Sequence, residues 1–184
     1  MEKELQAVIE VLRNGGLILY PTDTVWGIGC DATNEQAVEK IYKLKRSQDK
    51  HSMLVLCRDA DMVVRYVNKA PGIAFEVMEM SENPLTLILE GAVGVAANLI
   101  PETGTLGVRV PNHEFCHQLL RKFGRPIVST SANISGEPTP LKGLRMSATR
   151  LSMVLIMWLI PVSRVSLRVS PAQLLPLASV ARWR

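Results

Sequence analysis

The sequence has few cysteines, and none of them stands in a pattern that suggests a shared role. Cys30, Cys57 and Cys116 are odd in number, far apart and without a CxxC pair. A disulfide framework uses an even set of cysteines, so the sequence favours buried, reduced thiols in a cytoplasmic chain. Residues 1–4 are mostly charged and lack the apolar core of a secretion signal, which agrees with that expectation.

Long apolar runs and a P-loop are also missing. A membrane-spanning helix needs roughly 18 apolar residues, and the nearest candidate, Leu151 to Val162, is short and contains a proline. The sequence therefore predicts no association with a membrane. It contains no GxxxxGK[ST] pattern either, so any ATP site is expected to be of another kind.

Acidic residues are absent from the last 41 residues of the chain. Residues 1–143 contain all 17 Asp and Glu with 15 of the 21 Lys and Arg, a formal charge of 15 − 17 = −2. Residues 144–184 carry the remaining six cations, a charge of +6. The net charge of +4 is thus a property of this tail and is weak evidence for a nucleic-acid partner.

The tail, residues 144–184, also lacks Lys, Asn, Gly, His, Tyr, Phe and Cys. Globular segments average about 7% glycine and about 25% charged residues. One interpretation is a hydrophobic, arginine-rich accessory segment; the other is a reading frame shifted near Gly143. If the codons for Ser152 to Val165 are read two bases further on, a suitable choice of synonymous codons permits the peptide Asp-Gly-Val-Asp-Tyr-Val-Val-Asp-Pro-Gly-Phe-Glu-Gly. The same shift also permits Lys-Pro-Ser-Ser-Ile-Ile-Ala-Ile-Gly-Glu-Arg-Gly-Glu-Val-Glu from Val169 to Arg184.

Residues 1–143 alternate between helical and extended patterns. Apolar spacing predicts helices at 5–12, 37–44, 59–66 and 114–122, and strands at 17–20, 53–57, 85–89, 106–110 and 126–130. Thr33 and Gln36 have the spacing of a capping box before the second helix. The alternation predicts an α/β (α+β) fold, a single domain with helices packed on an open sheet. We expect residues 1–143 to form this domain and 144–184 to be its C-terminal end.

Two polar segments in the first third of the chain could bind a ligand. Residues 20–29 carry proline, hydroxyls and glycines after a strand, which suits a tight ligand loop or a simple turn closed by Asp23. Residues 43–51 place four cations within eight residues at a helix end. These cations suit polyphosphate, although cations also complement the dipole at a helix C-terminus.

Two further segments lie in the second half of the domain. Within residues 104–111, Arg109 alternates with apolar neighbours on an interior strand and needs an anionic partner, either a structural carboxylate or a ligand. Residues 129–135 contain four hydroxyls and one amide, more than a capped turn requires. Such groups can hold phosphate, ribose or carboxylate oxygens.

These four segments, PTDT with GxGCDA, the basic loop, GVRVP and STSANxSGxP, occur in this order over about residues 5–140. In that arrangement the chain resembles the YrdC-like family of threonylcarbamoyl-adenylate synthases. The resemblance implies a twisted, open, mixed sheet and a nucleotidyltransferase that makes threonylcarbamoyl-AMP and pyrophosphate from L-threonine, bicarbonate and ATP, with Mg²⁺ accompanying the nucleotide. It also implies that the product serves N6-threonylcarbamoyladenosine formation in tRNA, through downstream threonylcarbamoyl-transfer proteins.

The resemblance assigns roles to residues by position. It implies threonine binding by Thr24, Arg109 and Ser129, with Arg109 pairing the carboxylate. It implies catalytic cations at Arg46 and Lys50, and nucleotide contacts at Lys45, Thr105, Ser131, Asn133 and Thr139. Bringing two anions together requires charge neutralisation and positioning more than a general base, and the sequence offers no convincing base.

Other functions remain open at this point. The same basic surface could belong to a module that binds double-stranded RNA or tRNA, and the family also includes YciO-type paralogues without robust synthase activity. The segment from His113 to His117 matches the zinc-protease pattern HExxH. Because His113 closely follows Pro111, we expect it at a helix start, with an exposed His117, and predict no metal site.

Overall fold

A computed structural model describes residues 2–22, 27–46, 53–81 and 85–132. The described helices are α1 (Glu2–Arg13), α2 (Glu35–Lys45), α3 (Ala60–Tyr66), α4 (Gly72–Met80) and α5 (Glu114–Phe123), with a 3₁₀ turn at Ala97–Leu99. The described strands are β1 (Ile18–Tyr20), β2 (Gly27–Gly29), β3 (Leu54–Leu56), β4 (Leu87–Glu90), β5 (Thr105–Arg109) and β6 (Ile127–Ser131).

The six described strands form one open mixed sheet in the order β1-β2-β6-β3-β5-β4. Strands β3 and β5 are parallel, and every other neighbouring pair is antiparallel. This arrangement confirms the predicted α/β fold. The expected division between residues 1–143 and 144–184 falls outside the described residues, as does the whole tail.

Each face of the sheet packs against its own set of helices. On the first face, Val55, Val108 and Val128 join apolar residues of α2, α3 and the 3₁₀ turn in one core. On the second face, Leu56 and Ile127 join the apolar sides of α1 and α5 in a second core. Alternate residues of β3 and β6 are therefore buried against different helices, as a sheet covered on both sides requires.

The start of α2 corrects one sequence prediction. The helix is capped by Asn34, whose side chain accepts a hydrogen bond from the Ala37 amide at 3.0 Å. Thr33 is not the cap, because its amide and hydroxyl both donate to the Asp31 carboxylate, at 2.9 and 2.7 Å. The second carboxylate oxygen accepts from Arg125 at 2.9 Å. The buried Asp31 thus organises this turn, and a three-residue capping pattern does not detect it.

Strand β2 and helix α4 were not predicted from the sequence. The composition of residues 27–29 predicts a loop, but Gly27 and Gly29 pair with Tyr20 and Ile18 of β1. Helix α4 buries only Ala74 and leaves Ile73, Val77 and Met80 exposed, so it lacks a clear apolar stripe. The three cysteines are free and buried as expected, and burial raises the pKa of the Cys57 thiol to about 12.

None of the helices in the described ranges is long and apolar enough to cross a membrane.

The two glycines of β2 differ in the space around them, which gives a test of the sheet. A Cβ at Gly29 would lie 2.4 Å from the Val128 carbonyl oxygen and 2.8 Å from the Tyr20 ring. At Gly27 the nearest atoms would be 3.3 Å away. We expect Gly29→Ala to lower the free energy of unfolding by roughly 2–3 kcal/mol, and Gly27→Ala by less than about 1 kcal/mol. Urea unfolding measures both, and equal losses would contradict the close β2–β6 packing.

Candidate functional site

The second face of the sheet extends beyond the part that α1 and α5 cover. Strand pairing places the side chains of Ser129, Leu54 and Ile88 on this face, in line with Gly107. Ser129 is buried, at 8% exposure, Leu54 and Gly107 are half-buried, and Ile88 is 75% exposed. We call this part of the sheet the open face; it also includes Thr105, Arg109 and Ser131.

The segments predicted to carry the site are anchored at neighbouring points of the sheet. Gly27 pairs with both Tyr20 and Ser131, and Leu54 pairs with Ser129. The residues that flank the PTDT loop, the basic loop and the STSAN loop therefore lie beside one another. Four of the predicted ligand residues lie outside the described residues: Thr24, Lys50, Asn133 and Thr139.

Tyr20 lies across β2 and reaches towards β6. Because Gly27 and Gly29 have no side chains, the Tyr20 ring can occupy the space above them. A Cβ at Gly27 would lie 3.3 Å from Tyr20 Cζ and 3.4 Å from Ser129 Oγ, so the phenol and the serine are close. The two glycines spaced by one residue permit this arrangement, although no apolar pattern marks them as a strand.

The Tyr20 hydroxyl is completely buried, and the Ser129 hydroxyl is the polar side-chain group beside it. Burial raises the pKa of the Tyr20 phenol well above its usual value, and the nearby Cys116 acts in the same direction. The Ser129 hydroxyl and the Arg109 charge oppose this effect without overcoming it. Tyr20 therefore stays neutral behind Ser129, on the boundary between the core and the open face.

Lys45 is the last residue of α2 and is only 4% exposed. Its Nζ donates a hydrogen bond to the Ser131 carbonyl oxygen at 2.8 Å, which ties the end of α2 to the end of β6. Burial lowers the pKa of the Lys45 ammonium below its ordinary value of 10.5. The sequence predicted a nucleotide contact at this position, and the structure gives the side chain a contact with the protein backbone.

Arg46 follows Lys45 and is exposed. Its backbone is left-handed, with φ 52° and ψ 35°, and its amide donates to the Lys43 carbonyl oxygen at 3.3 Å. Among the described residues other than glycine, only Arg46 has a positive φ. Such a conformation is strained for a residue with a side chain and is often retained at functional sites. This geometry ends helix α2 at Arg46.

Arg109 lies on β5, between β3 and the edge strand β4, as the alternating pattern predicted. Its Nε donates to the Thr86 hydroxyl at 2.9 Å, a contact that the sequence pattern did not predict. Thr105, two positions before Gly107 on β5, has its hydroxyl 2.9 Å from that of Thr103. Arg109, Ser129, Ser131 and Thr105 therefore share the open face, which combines one guanidinium with several hydroxyls.

The HExxH pattern is divided between a helix cap and a helix. His113 is the residue before α5, and its carbonyl oxygen accepts from the His117 amide at 3.0 Å. This agrees with the predicted helix start. Within the part of the chain that the structure describes, no three His, Cys, Asp or Glu residues are close enough together to hold a metal ion.

Comparison with known proteins gives a consistent result. A model of the family named for Sua5, YciO and YrdC, described as "Telomere recombination", matches residues 10–157. A protein named threonylcarbamoyl-AMP synthase from Pseudoalteromonas translucida is 33% identical over 143 residues, which is 76% of each chain.

Two solved structures share the fold. The crystal structure of P. abyssi Sua5 complexed with L-threonine has a TM-score of 0.72 and 29% identity, covering 83% of this chain and 44% of that one. This chain thus spans less than half of that Sua5 chain. The crystal structure of E. coli YciO has a TM-score of 0.67 and 30% identity, over 74% of this chain and 67% of that one.

The burial of Lys45 leads to a prediction about pH. Because the folded-state pKa of Lys45 is lowered, the unfolded chain binds more protons in the interval between that pKa and 10.5. Stability contributed by this group therefore rises with pH through that interval. The free energy of unfolding of the unsubstituted chain, minus that of Lys45→Met, should therefore be larger at pH 10 than at pH 7.

Lys43→Met is the matched control, since the Lys43 side chain on the same helix is 69% exposed. Chemical unfolding of the three proteins at both pH values measures the effect. If the free energies of unfolding of Lys45→Met and Lys43→Met changed with pH in the same way, the Lys45 ammonium would not be desolvated.

Proposed function

Because this chain belongs to the Sua5, YciO and YrdC family, we propose that it is a threonylcarbamoyl-AMP synthase. It would convert L-threonine, bicarbonate and ATP to threonylcarbamoyl-AMP, pyrophosphate and water, and so act as a nucleotidyltransferase. The similarity to a synthase over 76% of both chains is the observation that carries this proposal. The product would pass, in the cytoplasm, to proteins that transfer the threonylcarbamoyl group to adenosine in tRNA.

Arg109 and Ser129 form the proposed threonine end of the site, together with Thr24. Arg109 presents a guanidinium on the open face, and a guanidinium can hold a carboxylate through two parallel hydrogen bonds. Ser129 is close to the Tyr20 phenol, and its hydroxyl can donate to or accept from the amino acid. The complex of P. abyssi Sua5 with L-threonine, a protein of the same fold, supports this choice of substrate.

The nucleotide end of the proposed site is built from the ends of α2 and β6. Ser131 and Thr105 contribute hydroxyls on the open face, and Asn133 and Thr139 would add further polar groups. Arg46 and Lys50 are the proposed catalytic cations, because attack of a carbamate on the α-phosphorus brings two anions together. Lys45 would act here mainly through Ser131, whose carbonyl oxygen it contacts at 2.8 Å.

The proposed reaction uses ATP with Mg²⁺. Magnesium prefers oxygen ligands and is commonly held by substrate phosphates and water with few protein carboxylates. The hydroxyl-rich open face fits such an arrangement, in which the ion arrives with the triphosphate. Bound in that way, Mg²⁺ would neutralise phosphate charge while Arg46 and Lys50 orient the same phosphates.

A YciO-type activity is the second candidate, favoured by the 30% identity to E. coli YciO over 67% of that chain. Such a paralogue would bind nucleotide without sustained synthesis. Binding of tRNA or double-stranded RNA by the same surface is a separate possibility that the salt response distinguishes. Phosphate-backbone binding weakens steeply as salt rises, whereas threonine-dependent turnover of ATP should persist.

Pyrophosphate release from ATP, with and without threonine and bicarbonate, tests the proposed activity. The unsubstituted chain should release pyrophosphate only when all three substrates are present. Arg109→Ala should weaken threonine binding by roughly tenfold to a hundredfold, because it removes a charged partner of the carboxylate. Ser131→Ala should instead weaken ATP binding by about fivefold.

Calorimetry with each ligand separates these two effects. Unchanged threonine affinity in a folded Arg109→Ala protein would make Arg109 structural. Equal losses for both ligands in Ser131→Ala would mean that the STSAN loop only supports the fold. Nucleotide binding without threonine-dependent pyrophosphate release would favour the YciO-type alternative.

We also propose that residues 144–184 are the C-terminal end of the same domain, read out of frame. The permitted alternative frame contains Lys-Pro-Ser-Ser-Ile-Ile, which resembles a turn that the family places near threonine. The residues present at that point, 169–174, contain no lysine and a single serine. The family match extends to residue 157, so residues 158–184 lie beyond it.

Restoring the alternative frame should raise both thermal stability and pyrophosphate release. The physical reason is that the present tail offers apolar residues without the glycines and acidic residues of a folded, solvated chain end. Thermal unfolding and the pyrophosphate assay compare the two proteins. Sequencing of the coding DNA tests the shifted reading frame directly. If the bases after the Gly143 codon do not encode the alternative peptide in the shifted frame, the proposal is wrong. Full activity of the chain with its present tail would also contradict it.

A further inference from the structure

The side chain of Arg109 is flanked by two very different neighbours on the sheet. On one side, Arg109 pairs with Leu56 of β3, which is buried and apolar. On the other side, the register of β4 and β5 pairs Leu87 with Val108. Continuing this antiparallel register places Thr86 opposite Arg109. Of the two cross-strand neighbours, only Thr86 has a side chain that can accept a hydrogen bond.

The contact between these two residues involves one particular atom of the guanidinium. Arg109 Nε donates to Thr86 Oγ1 at 2.9 Å, and both side chains are half-buried. A guanidinium is planar and carries five N–H donors in fixed directions. Once Nε is engaged, the direction of its N–H bond is fixed, and the orientations open to the plane of the group and its two terminal nitrogens are restricted.

This geometry has a consequence for carboxylate binding. A carboxylate can bind a guanidinium end-on, through both terminal nitrogens, or side-on, through Nε and one terminal nitrogen. A hydroxyl on Nε competes with the side-on arrangement and so favours binding of a carboxylate through the two terminal nitrogens. Orienting this edge before the ligand arrives reduces the rotational freedom that is lost on binding.

We propose that Thr86 is a positioning residue that orients the Arg109 guanidinium for end-on binding of the threonine carboxylate. This inference rests on the proposed function, since it assigns the carboxylate to L-threonine. Thr86 does not touch the substrate in this arrangement and acts only through Arg109. Its effect should therefore appear in the affinity for threonine and be absent from the affinity for ATP.

Three variants, two at Thr86 just before β4 and one at Ile88 within β4, measure the contribution of the Thr86 hydroxyl. Thr86→Val keeps the shape and removes the acceptor, whereas Thr86→Ser keeps the acceptor and removes a methyl group. Ile88→Val is the matched control, because Ile88 lies on the same face of the same region and is 75% exposed. Calorimetry should show threonine binding about tenfold weaker in Thr86→Val. The other two variants should stay within about twofold of the unsubstituted chain, and ATP affinity should be unchanged in all three.

A double-mutant cycle with Arg109→Lys separates orientation from packing. Lysine has no Nε–H fork, so adding Thr86→Val to Arg109→Lys should cause no further loss of threonine affinity. NMR of the ligand-free protein gives a second measurement. The signal of the Arg109 Nε–H is assigned by its absence in Arg109→Lys. Its chemical shift should change in Thr86→Val and stay the same in Thr86→Ser.

The outcomes distinguish the inference from the function on which it rests. Threonine affinity that is unchanged in Thr86→Val, or a loss that adds fully to that of Arg109→Lys, would overturn the positioning role and leave the synthase intact. Equal losses for ATP and threonine would also overturn it, since they indicate damage to the fold. If the unsubstituted chain bound no threonine while the NMR signal still responded, the proposed function would be wrong and the Thr86–Arg109 contact would be structural only.

Discussion

The pairing of β6 with β2 and β3 is the interaction on which the site depends. At the start of β6, Ile127 and Val128 are buried against opposite helical layers, so the register of the strand is fixed by apolar packing. A slip by one residue would exchange the two faces and bury Ser129 and Ser131 against α2 and α3. The packing of Ile127 and Val128 in the two cores thus decides which of the hydroxyls that directly follow them lie on the open face.

The same pairing also brings together the residues that flank the proposed functional segments. Tyr20, Gly27, Ser129 and Ser131 belong to β1, β2 and β6, and β6 joins the β1–β2 pair to β3. The end of α2 joins them through the Lys45 ammonium. The site is therefore assembled from strand ends and one helix end, and each polar group is attached to a packed element.

The sequence predicted those parts of the fold in which apolar periodicity is strong. Alternation on β5 placed Arg109 on an interior strand, and helical spacing located α1, α2, α3 and α5. Strand β2 was missed because Gly27 and Gly29 have no side chains from which a pattern could be read. The sequence assigned Lys45 a nucleotide contact and did not predict its burial, although it follows the buried Ile41 by four residues and so lies on the buried side of α2. Thr86 could not be found, because its partner depends on the pairing of β4 with β5, which is a tertiary property.

Two buried polar groups and one strained backbone conformation in the candidate site lower the stability of the folded chain. The Tyr20 hydroxyl and the Lys45 ammonium are both removed from water, and the backbone of Arg46 is left-handed although the residue carries a long side chain. Glycine adopts that conformation without strain, a difference of roughly 1 kcal/mol. A random library sorted only for heat tolerance would therefore become enriched in glycine at position 46. If Arg46 acts as the proposed catalytic cation, the same library sorted for turnover should keep arginine there, and the two selections would diverge at the end of α2.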